Sequence, residues 1–342
     1  MRAVVARTGS LAVEDVVEPE AGAGQVLARP VATGICGSDL HTLDAQADNP
    51  DELPAMVFGH EFCSEILELG PGTEGRFPVG TLVCSVPFVE GAEGPELVGL
   101  TPNFPGGFAE RMVLQEHRLL AVPNGLAASS AAVTEPLAVG VHAVNAARLR
   151  PGDVPLVLGC GPVGLAVINA LRLAGIRPIV ASDFSATRRD RAVAAGADVV
   201  VDPATQDAYA TWLGHAGDPL PPSPLLVPGM PAPSTVVFDC VGAPGLMAAH
   251  IEAVPSHSRV VVVGVCAVED SFVPVRAIEK ELTVQYVFAY TPEEFAHSLH
   301  LIGEGLVDSG SWVTAACSLD GVADAFADLR HPDHHCKIVV TP

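Results

Sequence analysis

The sequence predicts an α/β protein with a β-rich domain and a doubly wound parallel-sheet domain. Residues 1–122 form short β-type runs separated by Gly and Pro, with no long helical period. Beyond the turn Arg150–Pro151–Gly152–Asp153 the pattern becomes a regular alternation of strands and helices, as a parallel sheet requires. The change at that turn places the domain boundary.

In the first part, strands are expected at 3–5, 25–30, 61–69, 80–86, 109–114 and 119–122, in a barrel or folded sheet. Helical patterns follow at 127–133 and 137–148. In the second part, a strand ends at Leu158, a helix runs to Ala174, and an apolar run ends on Asp183. A helix at 187–195 is closed by Gly196, then come a strand at 199–201, a helix around 209–213 and a strand at 235–240. A helix at 246–254 and strands at 259–265 and 282–288 complete the alternation. Seven prolines between Pro219 and Pro233 make 218–234 a stiff, irregular surface loop, because proline lacks a donor and fixes φ. Helices at 293–302 and 319–329 and a strand at 337–341 are too short to fold alone and must pack on something earlier. His331, His334 and His335 read as an exposed polar turn.

The stretch 154–183 carries the first chemical signal. Its turn is Gly159-Cys160-Gly161-Pro162-Val163-Gly164. Gly159 permits the tight turn, Gly161 lets backbone N–H groups approach a pyrophosphate, and Gly164 lets helix and strand pack closely. The helix start, at Pro162 and Val163, presents a positive dipole end and, from Val163 on, unpaired N–H groups. Asp183, nineteen positions after Gly164, sits where a carboxylate accepts hydrogen bonds from a ribose diol. Strand, turn, helix and acid together predict a dinucleotide site. Prolines 155 and 162, the glycines and Arg172 exclude a membrane span.

Composition narrows the class. Hydrophobic residues make up 49% of the 342, so the chain is globular. The net charge of −22 repels nucleic acid and anionic membrane surfaces, and both are discarded as partners. Eight cysteines occur singly, without a CxxC, which fits reduced thiols and no disulfide framework. The opening MRAVVAR has no signal-peptide character, and a cytoplasmic location is expected.

The second signal is a set of N, S and O donors: Cys36 in GICGSDLH, His60 and Glu61 in GHE, and Glu135 in TEPLAVGVH. Donors from separated segments, with a position left open, suit a catalytic zinc better than a structural one. Singly, each has an ordinary explanation: Cys36 a small core thiol, His60 a satisfied core histidine, Glu135 a helix-start charge. The glycines beside Cys36 and His60 favour the joint reading, since close packing around a metal needs them.

With Cys36-Gly37-Ser38-Asp39, Gly59-His60-Glu61, the run PGGFAE from Pro105 to Glu110, and the glycine turn, the chain resembles the zinc-dependent medium-chain alcohol dehydrogenases over almost its whole length. The resemblance implies a GroES-like catalytic domain from 1–147 and 291–342, with a Rossmann domain over 148–290. It implies hydride transfer between an alcohol or polyol and NAD(H), with zinc as the Lewis acid. Cys36, His60 and Glu135 are the implied ligands, a Glu-Pro pattern similar to polyol dehydrogenases, and Glu61 a near ligand that exchanges with water. Asp39 is implied to fix the His60 tautomer. Ser38 is implied to pass the substrate proton through the ribose hydroxyl toward His41. For the cofactor, the resemblance places Phe184 and Val241 at the adenine, Arg188 at the adenosine ribose, Lys337 at the pyrophosphate, and Val263 and Val265 at the nicotinamide end.

Asp183 favours NAD over NADP by repelling a 2′-phosphate; Arg188 and Arg189 keep NADP as the alternative. Residues 82–108 hold only Cys84, so the four-cysteine structural zinc lobe of many relatives cannot form, and one zinc per subunit is expected. The expected partners are a small alcohol or carbonyl substrate, with Phe88 and Phe104 as apolar walls, and further copies in a homodimer or homotetramer. A zinc-free quinone or enoyl reductase of the same superfamily, and a non-enzymatic nucleotide-binding protein, are the competing readings.

Overall fold

The structure, a computed structural model, describes residues 1–123, 125–216 and 235–342; the proline-rich stretch 218–234 lies outside the described residues. The chain divides into two compact units, Met1–Glu135 with Pro292–Pro342, and Pro136–Thr291. The division falls just after Glu135, whereas the turn at 150–153 marks the boundary in the sequence pattern.

The first unit begins with strands β1 (Arg2–Arg7), β2 (Ser10–Asp15) and β3 (Gln25–Gly34), then helix α1 (Gly37–Asp48). Strands β4 (Met56–Val57), β5 (Glu61–Leu69) and β6 (Leu82–Ser85) follow, then a hairpin of β7 (Phe88–Gly91) and β8 (Gly94–Leu97). Strands β9 (Met112–Gln115) and β10 (Leu119–Ala121) lead to helix α2 (Ala128–Ala132) and to α3 (Thr134–Ala146), which passes into the second unit after Glu135. Helix α1 and strands β2, β4, β7 and β8 are additions to the sequence expectation. The helix escapes the apolar period because Asp39 and Gln46 share its buried face with Leu43.

The second unit is a parallel sheet of β11 (Val154–Leu158), β12 (Val180–Ser182), β13 (Val199–Val201), β14 (Thr235–Asp239), β15 (Arg259–Val262) and β16 (Thr283–Tyr286). Their spatial order is β13-β12-β11-β14-β15-β16, with every pair parallel. Helices α4 (Pro162–Leu173), α5 (Ala186–Ala195), α6 (Ala208–Ala216), α7 (Leu246–Ala253) and α8 (Pro274–Glu279) alternate with the strands. All five residues of β11 are buried, which explains its continuous apolar run. Trp212 of α6 is fully buried and donates its indole N–H to the Val154 carbonyl at 2.8 Å. Ser185 caps α5 by accepting from the Arg188 N–H, and Gly196 ends it in the left-handed region at φ 119°.

The chain then returns to the first unit through α9 (Pro292–Gly303), β17 (Val313–Cys317), α10 (Val322–Leu329) and β18 (Lys337–Val340). There the principal sheet runs β10-β6-β5-β3-β18-β17, with β9 also on β3. The β3–β5 register slips between Pro30 and Ala32, where proline cannot supply a ladder hydrogen bond. One consequence of the topology positions the site. Gly34 pairs with Glu61 of β5 on one side and Val339 of β18 on the other, so three distant segments meet at the end of β3.

Candidate active site

Cys36 follows β3 directly and stands at the N-cap of α1. Its N–H donates to Asp39 Oδ2 at 2.9 Å, so a carboxylate one turn into the helix fixes the thiol-bearing residue. Asp39 is fully buried, and its other oxygen faces His60 Nδ1 at 3.4 Å. His60 Nε2 lies 3.5 Å from Ser38 Oγ. His41, one turn further along α1, is exposed.

Gly59 places His60. It adopts φ +106°, and a Cβ there would stand 2.8 Å from both Phe108 Cδ1 and Thr33 Cγ2. The Gly107 N–H donates to the Gly59 carbonyl at 2.7 Å and the Phe108 N–H to the Phe58 carbonyl at 3.0 Å, so the PGGF run straps the loop that carries the histidine. Phe58 and Phe108 are both fully buried and pack on Phe326, with ring centroids 6.3 and 6.2 Å away. Gly37 is different. A Cβ there meets nothing within 4 Å, so close packing does not explain the glycine after Cys36.

Cys36, His60 and Glu61 each offer a ligand atom, all within 4.8 Å of one another, the one such group among the described residues. The thiol, imidazole and carboxylate are donors that zinc takes; tetrahedral bonds of about 2.0–2.3 Å would set ligand atoms about 3.5 Å apart, so the side chains would draw together around an ion. Glu135, in the first turn of α3 and half-buried, is outside this group. Of the implied set, Cys36 and His60 are brought together, and Glu135 belongs to the same unit. Burial works against an imidazolium at His60, but the charges of Asp39 and Cys36 outweigh it and hold its pKa well above the usual histidine range.

Lys337 corrects another expectation. Its ammonium is buried and donates to both Glu61 oxygens at 2.7 Å and to the Ile35 carbonyl at 2.9 Å. All three hydrogens are engaged, so the residue neutralises Glu61 and is not offered to a pyrophosphate. Gly34 leaves the room for this pair, since a Cβ there would fall 2.1 Å from Glu61 Oε2. Nothing in the sequence signalled the contact, because its members are 276 residues apart. Phe104 is half-buried and packs against the buried cluster around Phe62, Val89 and Val98.

In the second unit the glycine turn follows β11. A Cβ on Gly164 would lie 1.9 Å from the Gly159 carbonyl oxygen, so α4 can approach the strand only without one. Asp183 closes the turn, accepting from the Cys160 N–H and the Ser185 N–H, each at 2.8 Å. Each oxygen retains acceptor capacity for a hydroxyl. Arg188 Nη1 stands 3.9 Å from Asp183 Oδ2, and its Nε is buried without a hydrogen-bond partner. Arg189 is engaged with the carbonyls of Asp183 and Phe184 and with Asp202. Near the turn, Phe184, Val241 and Val265 are exposed apolar side chains, while Val263 is buried at the end of β15. Val241 reaches Gly159 closely enough that a Cβ on the glycine would lie 2.7 Å from its Cγ2.

Comparison with known proteins follows from this geometry. The alcohol dehydrogenase GroES-like domain family matches residues 22–124, and the zinc-binding dehydrogenase family matches residues 162–304. The (R,R)-butanediol dehydrogenase of Bacillus subtilis is 31% identical over 96% of both chains, and the sorbitol dehydrogenase of that organism 26% identical over 99% of this chain and 96% of its own. The crystal structure of the Bacillus subtilis 2R,3R-butanediol dehydrogenase superposes with a TM-score of 0.82 at 29% identity, covering 100% of this chain and 99% of the other. A zinc-binding dehydrogenase from Sinorhizobium meliloti, solved with NADP, gives a TM-score of 0.83 at 26% identity over the same shares. The chain belongs to the zinc-dependent medium-chain alcohol dehydrogenase family. It is an oxidoreductase with a GroES-like domain and a Rossmann domain.

Proposed function

We propose that the protein transfers hydride reversibly between a small alcohol or polyol and NAD(H). The observation that carries this is the meeting of the half-buried Cys36 thiol with the buried His60 imidazole in the first unit, in a chain that also has a complete dinucleotide turn. Cys36 and His60 would hold a catalytic zinc. Glu61 already shares both oxygens with Lys337, so Glu135 is the carboxylate assigned to complete the set. When bound, zinc supplies Lewis-acid polarisation of the substrate oxygen and NAD+ accepts the hydride.

The chain's own residues do the rest. Asp39 takes the N–H of Cys36 with one oxygen and faces His60 Nδ1 with the other, orienting two donors through one carboxylate. Ser38, beside His60, is the first acceptor of the substrate proton, and His41 on the next turn of the same helix releases it to solvent. Asp183 binds the adenosine ribose and disfavours a 2′-phosphate, which makes NAD+ the preferred cofactor. The engagement of Arg189 supports that preference, because it removes one of the two guanidinium groups that would attract the phosphate.

One zinc per subunit is proposed, for residues 82–108 contain a single cysteine, Cys84, which is buried with its thiol on the Ala131 carbonyl. Assembly as a homodimer through the outer edge of β16 is proposed from the exposed apolar residues Phe272, Val273, Val275, Ile278, Tyr286 and Phe288 on and near that strand. No described helix is long and apolar enough to cross a membrane.

Metal analysis with reduction of NAD+ and NADP+ across simple alcohols, vicinal diols and sugar alcohols tests the reading. The expected result is one zinc per chain, activity lost on chelation and restored by zinc, and preference for NAD+. Full activity in zinc-free protein would refute it.

A further inference from the structure

Asp239 ends β14 between the two loops nearest the glycine turn. Its Oδ1 accepts from the Val241 N–H at 2.9 Å and the Gly242 N–H at 3.1 Å, and its own carbonyl accepts from the Val263 and Gly264 N–H groups at 2.9 and 2.8 Å. The two loops touch backbone to backbone, since a Cβ on Gly264 would lie 2.3 Å from the Gly242 nitrogen. The second carboxylate oxygen turns inward, to His250 Nε2 at 3.1 Å on α7. His250 is fully buried, and its Nδ1 meets the Tyr209 hydroxyl of α6 at 2.8 Å.

Hydrogen-bonding capacity orders this chain. Asp239 only accepts, so Nε2 carries the ring hydrogen; Nδ1 then accepts, and the tyrosine hydroxyl donates to it. Every polar atom is paired in that one arrangement. Burial and the nearby charges of Asp239 and Asp207 push the Tyr209 hydroxyl above its ordinary pKa, which keeps it a donor. The Asp239 carboxyl is buried yet held below the usual carboxylate range by His250 and by the Gly242 and Val241 N–H groups, which keeps it an acceptor.

We propose that the buried chain Tyr209–His250–Asp239 is a positioning device for the cofactor, holding the 240–242 loop and Val241 against Gly159 so that the dinucleotide cradle is formed before the ligand arrives. This rests on the assignment of the glycine turn to NAD(H). His250 and Tyr209 touch no cofactor in this account; they act through Asp239. A preformed loop lowers the ordering cost of binding, so its loss falls on cofactor affinity and not on the chemical step.

The test uses full-length, zinc-loaded protein and three variants. His250→Leu removes both hydrogen bonds. His250→Gln retains a side-chain N–H in the region of Nε2. Tyr209→Phe removes only the hydroxyl. His250→Leu is expected to weaken NAD+ binding about tenfold, or about 1.4 kcal/mol. Its KM for NAD+ should rise in step, while kcat at saturating cofactor and KM for the alcohol stay within about twofold. His250→Gln should recover the affinity to within about threefold of the parent, with Tyr209→Phe between the two. Unchanged NAD+ affinity in folded His250→Leu overturns the inference. Should that variant not fold, equal and unchanged affinity in the other two overturns it as well, as does a loss in His250→Gln that merely tracks Tm. A parent protein that binds neither NAD+ nor NADP+ rejects the cofactor assignment itself; a parent that binds while the variants match it rejects only the positioning chain.

Discussion

Replacing Lys337 with Met leaves the buried Glu61 carboxylate without its counter-charge. The two side chains are 3% and 1% exposed, so water cannot compensate. Breaking a buried ion pair from one side costs about 3–5 kcal/mol, and here the Ile35 carbonyl also loses its donor, which puts the expected loss at about 4 kcal/mol. The sign with pH is defined. Burial opposes the charge on Lys337, but Glu61 and then Cys36 outweigh it and raise its pKa. On the alkaline side the pair's contribution is therefore complete from neutral pH up to about pH 10.4, the unfolded lysine value, and fades as pH rises through the folded one. At pH 7 the variant loses all of it. Urea unfolding of metal-free protein is the assay, read on Trp312, which is buried in the first unit and becomes the sole tryptophan in a Trp212→Phe background. Adding Glu61→Gln to Lys337→Met should recover at least about 2 kcal/mol, since a neutral amide need not be paired with a charge. A loss below about 1 kcal/mol in the single variant, or a double variant no more stable than it, would refute the argument.

Gly164→Ala places a methyl 1.9 Å from the Gly159 carbonyl oxygen, and both must move. The expected cost is about 1–3 kcal/mol with loss of NAD+ affinity, checked by urea titration and cofactor titration; an alanine variant that binds NAD+ normally would contradict the packing assigned to the turn. Ser38→Ala and His41→Ala should each lower kcat by about a hundredfold while zinc content, measured by metal analysis, stays at the parent level. Undiminished turnover in both would remove the proton route.

The second unit was legible because its signals are local. Gly159, Gly161, Gly164 and Asp183 lie within one strand–helix–strand unit, and Gly196 closes α5 in the sequence as it does in space. In the first unit, Cys36 and His60 were legible as donors, yet the partners that set their chemistry were not. Lys337 reaches Glu61 only because β18 lies beside β3, a pairing with no short-range pattern. Helix α1 was hidden by the polar residues on its buried face, Asp39 and Gln46, which are polar because they bond to neighbouring backbone. His250 and Asp239 were unremarkable as letters; only the packing of α7 on the end of β14 turns them into a network.

The discontinuity of the first unit has a consequence for biosynthesis. The nucleotide-binding unit is one uninterrupted segment, whereas Glu61 leaves the ribosome 276 residues ahead of the lysine that neutralises it. At 5–20 residues per second that interval is roughly 14–55 s. Throughout it the nascent GroES-like half cannot bury that carboxylate cheaply, nor close its sheet beside β3. It must wait, open and available to chaperones, until β18 is translated.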